Sequence, residues 1–444
     1  MPHMAHAVDT EMLDGFVVVS KEDFLDESPD AHQPTRVPEL LDDISRSVDD
    51  AAEAFWPVNR TIHDNPELAY KEFIAHDVLT RFMASRDGWA VTRSAYGMKT
   101  AWVAVFDGGK GGAVVSFNAE MDCLPGIGHA CGHNLIASAS VLGAVAAAEV
   151  MKKRNLGGKV VLFGTPAEEG GGGKIRLLEA GAYSDHKVDI SLISHPGTLP
   201  DAARMRTTAY SQFRAEYFGR EAHAAANPWL GINALDALVS AYNNVSMLRQ
   251  QNMPGDIVQG HITDGGLVPN IIHAYAAGRF VVRADSQARL EELRKKVYAC
   301  FEAGAQATGA RLTLTRGQAC KDHVANDALA RSYTRYFNAL DPPHGIAESA
   351  SADAARGKTQ ASTDQGDISH AMPSLSPTFA IRAGPLGQGP HNPEFAEAAG
   401  TRDAYGRAAR VAKGLAGVAL DVLRSGAFLD EVKKSWRDGL AGDA

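Results

Sequence analysis

Two spacings of apolar residues alternate along most of this chain. Between 38 and 60, Leu41, Ile44, Val48, Ala52 and Phe55 recur every three or four positions, which lines them up on one face and predicts an amphipathic helix. A second helix follows HDNPELAYKEF and runs to about Met83. The runs WAVTRS, TAWVAVF and AVVSFNAE, separated by glycine pairs, then have the composition of strands. Small residues from Ile136 to Ala148 predict a close-packed helix. KVVLFGTPAEEGGGG predicts a buried strand from Val160 to Gly164 that breaks at Pro166. KIRLLEAGAY reads as a helix closed by Gly181, and VDISLISHPG as another buried strand ending at His195. Strands alternating with helices predict an α/β domain on a parallel-rich sheet. In such sheets ligands gather beyond the carboxyl ends of the strands, and PAEE and SHPG both fall at such ends.

The rhythm changes at about Ala209. SQFRAEYFG alternates like a half-exposed strand, and INALDALVSAYNNVSMLRQQ is an amphipathic helix stopped by Pro254 and Gly255. DIVQGHI, IIHAYAAGRFVVRAD, a helix from Ala288 to about Thr308 and RLTLTRG complete the order β-α-β-β-α-β. That order is the split unit of a ferredoxin-like α+β sheet. It predicts a domain over 209–319 inserted between two parts of the α/β domain, 38–208 and 320–444. One helical layer leaves a strand edge free, which predicts a homodimer through the insert. Beyond it DALARSYTRYFNAL is a helix, AESASADAARGKTQASTDQGD a loop with functional groups, and HAMPSLSPTFAIRAGP one more strand. HNPEFAEAAG caps a long helix from Thr401 to Leu423. Residues 1–37 are acidic with only GFVVVS apolar, and predict a flexible extension.

Composition narrows the class. At 444 residues the chain can bury more than one core, and 45% hydrophobic with 22% charged residues is ordinary for a soluble globular protein. A net charge of -9 without a basic block argues against nucleic-acid and anionic-membrane partners. No apolar stretch reaches the roughly 20 residues expected of a membrane span, and the first residues lack the basic and apolar segments of a secretory leader. Four cysteines without a CxxC pair exclude a disulfide scaffold. A reducing, cytoplasmic setting with Cys131 as a free thiol is the expectation.

The candidate chemistry lies at strand ends and turns. In GHACGHN, Cys131 and His133 flank a glycine, and a soft thiolate beside an imidazole can converge on an ion of zinc type. Glu168 and Glu169 sit together at the mouth of a buried strand, an expensive place for two carboxylates unless a cation or proton neutralises one. One can bind metal while the other takes a proton from water. His195 closes a strand, His391 lies in a turn opening a helix, and His223 lies in the insert. A Cys, three His and two Glu in the α/β part suit a catalytic site of one or two metal ions with room for water. Rival motifs do poorly: GGGGK is followed by Ile175 and lacks phosphate-loop spacing, and neither GxSxG nor HExxH occurs. Cys131 as a nucleophile, with His133 or His195 as base, leaves the paired glutamates without work.

With these residues collected, the chain resembles the M20 metallopeptidase and amidohydrolase family from about Asp49 to Arg437, and within it the aminoacylase-1-like branch. MDCLPGIGHACGHN, TPAEEGGGGKI, EAHAAANPWLGINALDA, GGLVPNIIHAYA, STDQGDIS and HNPEFAEAAG occur in the family's order. The resemblance implies a catalytic α/β domain split by a lid that dimerises. It implies metal ligands at Cys131, His133, Glu169, His195 and His391, with Cys131 bridging two zinc or manganese ions. Glu168 matches the general base, and Asp122 the carboxylate that orients a ligand histidine. His223 matches a lid histidine that reaches the partner subunit's site to steady the oxyanion. Asn270 and Arg283 match lid positions that hold the substrate's carbonyl and carboxylate. Asn134 stands where the auxin-conjugate hydrolases carry Asp, and Cys123 where alanine is usual; both bear on pocket shape. The expected activity is hydrolysis of an amide or peptide bond in a small carboxylate-bearing molecule, a dipeptide or an N-acyl amino acid, by metal-activated water. Trp229 and Tyr242 near the lid suggest apolar acyl groups. The alternative is a member that lost its chemistry and serves as an oligomeric binding protein.

Overall fold

The first apolar stripe closes against the interior. Helix α1 (Leu41–Asp64) buries Leu41, Ile44, Val48, Ala52 and Phe55, and it runs past Arg60 with Pro57 inside it. This computed structural model describes residues 12–13, 16–17, 37–342, 345–384 and 387–442. It falls into two units, 1–37 and 38–444. In the first, β1 (Met12–Leu13) pairs antiparallel with β2 (Phe16–Val17); the flexible extension expected there otherwise lies outside the described residues.

The second unit is built on a six-stranded sheet ordered β13-β7-β5-β6-β4-β3. Its strands are β3 (Trp89–Arg93), β4 (Trp102–Asp107), β5 (Val114–Glu120), β6 (Lys159–Thr165), β7 (Ile190–Leu192) and β13 (Ser374–Leu375). The run β13, β7, β5, β6 is parallel, and β4 and β3 add antiparallel pairs. Strand β6 is apolar on both sides because both faces are covered: Val160 and Leu162 join one core, Val161 and Phe163 another. Helices α1, α2 (Phe73–Ala84), α3 (His133–Arg154), α9 (Asp327–Asn338) and α13 (Arg402–Arg424) contribute to the first core. Residues of α5 (Gly173–Glu179), α6 (Ala182–Asp185) and α11 (Gln365–Ala371) contribute to the second.

One sequence expectation needs correcting here. Helix α3 is, by length and composition, apolar enough to cross a membrane, but its apolar window is 94% buried inside the protein. It is a core helix: its alanines, serines and Gly143 let α1, α13 and the sheet approach from every side.

Other boundaries also moved. β7 stops at Leu192, so His195 does not close it but opens a separate strand, β8 (His195–Gly197), parallel to β14 (Thr378–Ala380). The single strand expected in HAMPSLSPTFAIRAGP is therefore two, β13 and β14, divided around Pro377, which has no N–H to donate to a ladder. The expected loop after α9 holds two helices, α10 (Ala350–Arg356) and α11; Ser349 accepts the Ala352 N–H as a helix cap. A further helix, α14 (Gly426–Gly442), follows α13.

Between these parts lies a four-stranded antiparallel sheet in the order β10-β11-β9-β12. Its elements, β9 (Ala209–Phe218), α7 (Ala234–Leu248), β10 (Ile257–Asp264), β11 (Tyr275–Ala284), α8 (Gln287–Thr308) and β12 (Arg311–Cys320), follow the expected β-α-β-β-α-β order. β9 alternates buried and half-buried residues along its length, and Phe213, Tyr217, Phe280 and Phe301 fill a core distinct from that of the larger sheet.

Beyond β12 the chain passes through His323, fully buried, whose Nδ1 lies 3.0 Å from the Met205 carbonyl. Burial pushes its pKa down to about 4, against a weaker upward pull from that hydrogen bond. The unfolded chain takes up this proton below the ordinary histidine value of about 6.5, the folded chain only near 4. Stability present above pH 6.5 is therefore lost as pH falls toward 4. Urea unfolding at pH 7 and pH 5 checks this: His323→Gln should lose less stability between the two than the parent does.

Candidate metal centre and active site

The carboxyl ends of the parallel strands bring the functional groups together. β5 runs into Glu120 and Asp122, β6 into Glu168 and Glu169, and the chain after β7 into His195. Gly132 turns the GHACG segment back at φ 76° and starts α3; a Cβ there would stand 2.6 Å from Pro196 Cγ, so both the torsion and the space call for glycine. Ala167 holds a left-handed φ of 58° just before α4 (Glu168–Gly171), a conformation costly for a side chain bearing Cβ. Glu72 offsets that cost: its buried Oε1 accepts the Ala167 N–H at 2.8 Å, while Tyr70 N–H and the Thr100 hydroxyl also donate to this carboxylate. His391, at φ 71°, donates its N–H to the Ala130 carbonyl at 2.8 Å, which pins its loop onto the GHACG turn, and Asn392 caps α12 (Pro393–Ala399).

The side chains meet closely. Cys131 Sγ is 3.3 Å from His195 Nε2, and His391 Nε2 is 3.4 Å from Glu169 Oε1. His133 Nε2 lies 3.8 Å from both Glu168 Oε2 and Glu169 Oε1. Within each of the sets Cys131–His133–His195, Cys131–Glu169–His391 and His133–Glu168–Glu169, the donor atoms fall within 4.8 Å of one another.

The donor set fits a divalent ion on its own evidence. Asp122 Oδ1 sits 3.1 Å from His133 Nδ1, and the Pro196 carbonyl 2.7 Å from His195 Nδ1. Both Nδ1 atoms thus carry the proton, and both Nε2 lone pairs face the cluster. His133 Nε2 and Glu169 Oε1 are buried without a hydrogen-bond partner, a costly condition that a cation relieves. Thiolate, imidazole and carboxylate together suit a borderline-soft ion.

The two glutamates are pushed in opposite directions. Burial, reinforced by the negative charges of Glu120 and Asp364, raises the Glu168 pKa well above the carboxylate range. Burial pushes Glu169 the same way, but the neighbouring imidazoles of His391 and His133 outweigh it and bring the group to about 2. Paired carboxyls driven apart in this way can divide the work of carrying a proton and of holding a negative charge. Burial pushes the Cys131 thiol up, the opposite of what an activated cysteine nucleophile needs, and so disfavours that rival.

Sequence reasoning missed what lies behind this cluster. GGGGK was weighed only as a phosphate loop, yet Lys174 is fully buried, with Nζ 2.6 Å from Glu120 Oε1 and 2.5 Å from Asp364 Oδ1. Glu120 Oε2 in turn lies 3.3 Å from His133 Nε2. The available signal was a lysine directly after a strand-end turn, with an acid in each of NAEMD and STDQGD to answer it. Glu72 gave no such signal.

The cluster opens into a cleft of about 760 Å³ lined by Cys131, Glu168, Glu169, His195 and His391, and also by Arg283 of the four-stranded sheet. Arg283 lies over the Tyr210 ring at 4.6 Å and donates from Nη1 to Ser362 Oγ at 2.7 Å. His223 and Asn270 do not line this cleft. They are neighbours on the exposed surface of the four-stranded part, where Ala224 N–H donates to the Asn270 carbonyl and Ala226 N–H to His223 Nδ1. Trp229, 75% exposed, and Tyr242 also lie outside the cleft lining. Asn134 and Cys123 are buried away from it; Asn134 donates to Asn59 Oδ1 and the Ala399 carbonyl, holding α3 to its neighbours.

Comparison with known proteins places this geometry. The model of peptidase family M20/M25/M40 matches residues 116–416. A mouse protein named Xaa-Arg dipeptidase is 40% identical over 402 residues, covering 88% of this chain and 90% of the relative. This chain belongs to the M20 family. It is accordingly a metal-dependent hydrolase acting on peptide or amide bonds of small molecules. An Escherichia coli relative, one of the chains of a p-aminobenzoyl-glutamate hydrolase, is 29% identical over 330 residues, covering 69% of this M20 chain and 68% of the relative. A Bacillus subtilis crystal structure described as a dinuclear metal binding peptidase from the M20 family shares the fold. It has a TM-score of 0.62 at 17% identity and covers 84% of this chain and 99% of that one.

Asp122 joins both ligand loops, since its Oδ2 also accepts the Glu169 N–H at 3.0 Å. Asp122→Asn should weaken divalent-metal binding by about 10- to 100-fold. Competition against a fluorescent chelator measures this directly, and unchanged affinity would remove Asp122 from that role.

Proposed function

We propose that Cys131, His133, Glu169, His195 and His391 would hold zinc or manganese, one or two ions per subunit, in this M20 hydrolase. The observation that carries the reading is the meeting of these five groups around unpaired buried donor atoms, with Glu168 and Arg283 on the same cleft. The bound ion supplies a Lewis acid that polarises the scissile carbonyl and makes water more acidic. Glu168 takes the proton from the attacking water and hands it to the leaving nitrogen as the C–N bond breaks. Arg283, with its guanidinium partly engaged by Ser362 and Tyr210, receives the substrate's carboxylate.

In this reading residues 209–319 form a lid and dimerisation domain on a catalytic domain of 38–208 plus 320–444. Strand β10 is an edge of the four-stranded sheet, and Ile262, Leu267, Val268 and Ile271 are exposed on it and on the segment that follows. That unpaired apolar edge supports a homodimer. His223 bridges to Ile271 beside it, a position from which His223 and Asn270 serve the partner subunit's cleft, steadying the oxyanion and the carbonyl. The four cysteines are free, and a thiol ligand suits a reducing cytoplasmic setting.

The substrate is a dipeptide or an N-acyl amino acid; the names of the mouse and Escherichia coli relatives span both classes. Glu168→Gln should lower kcat by at least about 1000-fold while elemental analysis still finds metal at the parent stoichiometry. Retained turnover would reject Glu168 as the base. Dialysis against a strong chelator should abolish activity, and added zinc or manganese should restore it; activity that survives metal removal would reject the metal-dependent reading.

A further inference from the structure

Among the described residues, the cleft is lined by no carboxylate other than Glu168 and Glu169, and by two guanidiniums, Arg283 and Arg356. They stand at either end of one wall segment. Gln360 and Ser362 hold Arg283 through a carbonyl and a hydroxyl, and Arg356 begins the same segment four residues before Gln360. Arg356 differs from its charged neighbours. Lys358 is paired with Asp285, and Arg204 with Asp327 and Asp353. Among the described residues, no hydrogen bond or ion pair engages the Arg356 side chain.

Its mounting is nevertheless firm. Arg356 is the last residue of α10, and the buried Asp353 of that helix accepts from Ala203 N–H at 2.9 Å and from Arg204 Nη1 at 2.8 Å. The next residue, Gly357, accepts the Arg206 N–H and lies so close to Arg204 that a Cβ would fall 2.2 Å from its carbonyl oxygen. An exposed cation fixed at its base and unpaired at its tip, on a cleft whose lining acids among the described residues are Glu168 and Glu169 of the donor cluster, can pair with a carboxylate that a ligand brings in.

We propose that Arg356 recognises a second carboxylate on the amine side of the substrate, so that the preferred leaving residue is acidic: an Xaa-Glu or Xaa-Asp dipeptide or an N-acyl derivative of these amino acids. This deepens the hydrolase reading above and rests on it, because Arg283 must already hold the α-carboxylate. Water's oxygen bonds to the acyl carbon, the C–N bond breaks, and the proton passes through Glu168 to the nitrogen, releasing an acid and a free acidic amino acid. A basic leaving residue, which the mouse relative's name specifies, finds among the described lining residues no carboxylate outside the Glu168–Glu169 cluster and meets Arg356 instead.

The test uses the full-length, metal-loaded protein with Ala-Glu, Ala-Gln and Ala-Arg, which differ chiefly in side-chain charge. The parent should prefer Ala-Glu to Ala-Gln by about tenfold in kcat/KM, mainly through KM, with Ala-Arg slowest. Arg356→Gln should erase most of the Glu-over-Gln preference, and Arg356→Lys should keep part of it. Arg356→Glu should move the preference toward Ala-Arg. Ala-Arg as the parent's best substrate, or a variant that slows all three equally, would overturn the assignment while leaving the hydrolase reading intact. Failure to cleave these and N-acyl amino acids with either metal would overturn both.

Discussion

Asp122 is the constraint on which the site depends. It is fully buried, and its two oxygens reach two different loops: one orients the His133 ring, the other accepts the Glu169 backbone N–H. These loops leave the ends of two neighbouring parallel strands, β5 and β6, so one carboxylate converts sheet register into ligand geometry. It also decides chemistry. With the proton held at Nδ1, only Nε2 can offer a lone pair, and that atom has no other hydrogen-bond partner.

Behind this linkage the protein stores negative charge. Glu120, Asp122, Glu168, Glu169 and Asp364 crowd one buried region in which Lys174 is the buried lysine, held between Glu120 and Asp364. Acids so placed repel one another and are poorly solvated, which raises the proton affinity of Glu168 and makes a divalent cation welcome. The strain at Ala167 belongs to the same design. A left-handed residue immediately before Glu168 turns both glutamates into the cluster, and the buried Glu72 carboxylate holds that turn in place.

The donor cluster and the cations of the cleft come from different parts of the chain. Cys131, His133, Glu168 and Glu169 follow strands of the larger sheet, and His195 and His391 come from β8 and the loop before α12, whereas Arg283 arrives from β11 of the smaller sheet and bonds to the segment that carries Arg356. Chemistry can therefore stay constant while the segment 356–362 and the four-stranded part vary.

Much of this was legible from residue order alone, because the information was local. The 3.6-residue stripe of α1, the alternation of β9 and the β-α-β-β-α-β succession each express what a short segment must bury. The motifs GHACGHN, PAEE, SHPG and HNPEF marked the donor groups that meet in one cluster, since such groups are costly at buried strand ends unless a cation answers them. Local pattern failed where the cause was distant. His195 opens β8 because β14 lies alongside it, and α10 forms in a serine-rich stretch because Asp353 finds Arg204 far away in the chain. The surroundings of Glu72 and Arg356 were equally invisible, and those of Lys174 were signalled only by the acids of NAEMD and STDQGD. An ammonium is buried, a carboxylate holds a strained turn, and a guanidinium stays unpaired only by virtue of which groups folding brings near them. Sequence determined which segments would be helix or strand and which side chains could bind metal. Tertiary structure decided which of the charges would meet, because pairing depends on distances of a few ångströms between residues hundreds of positions apart.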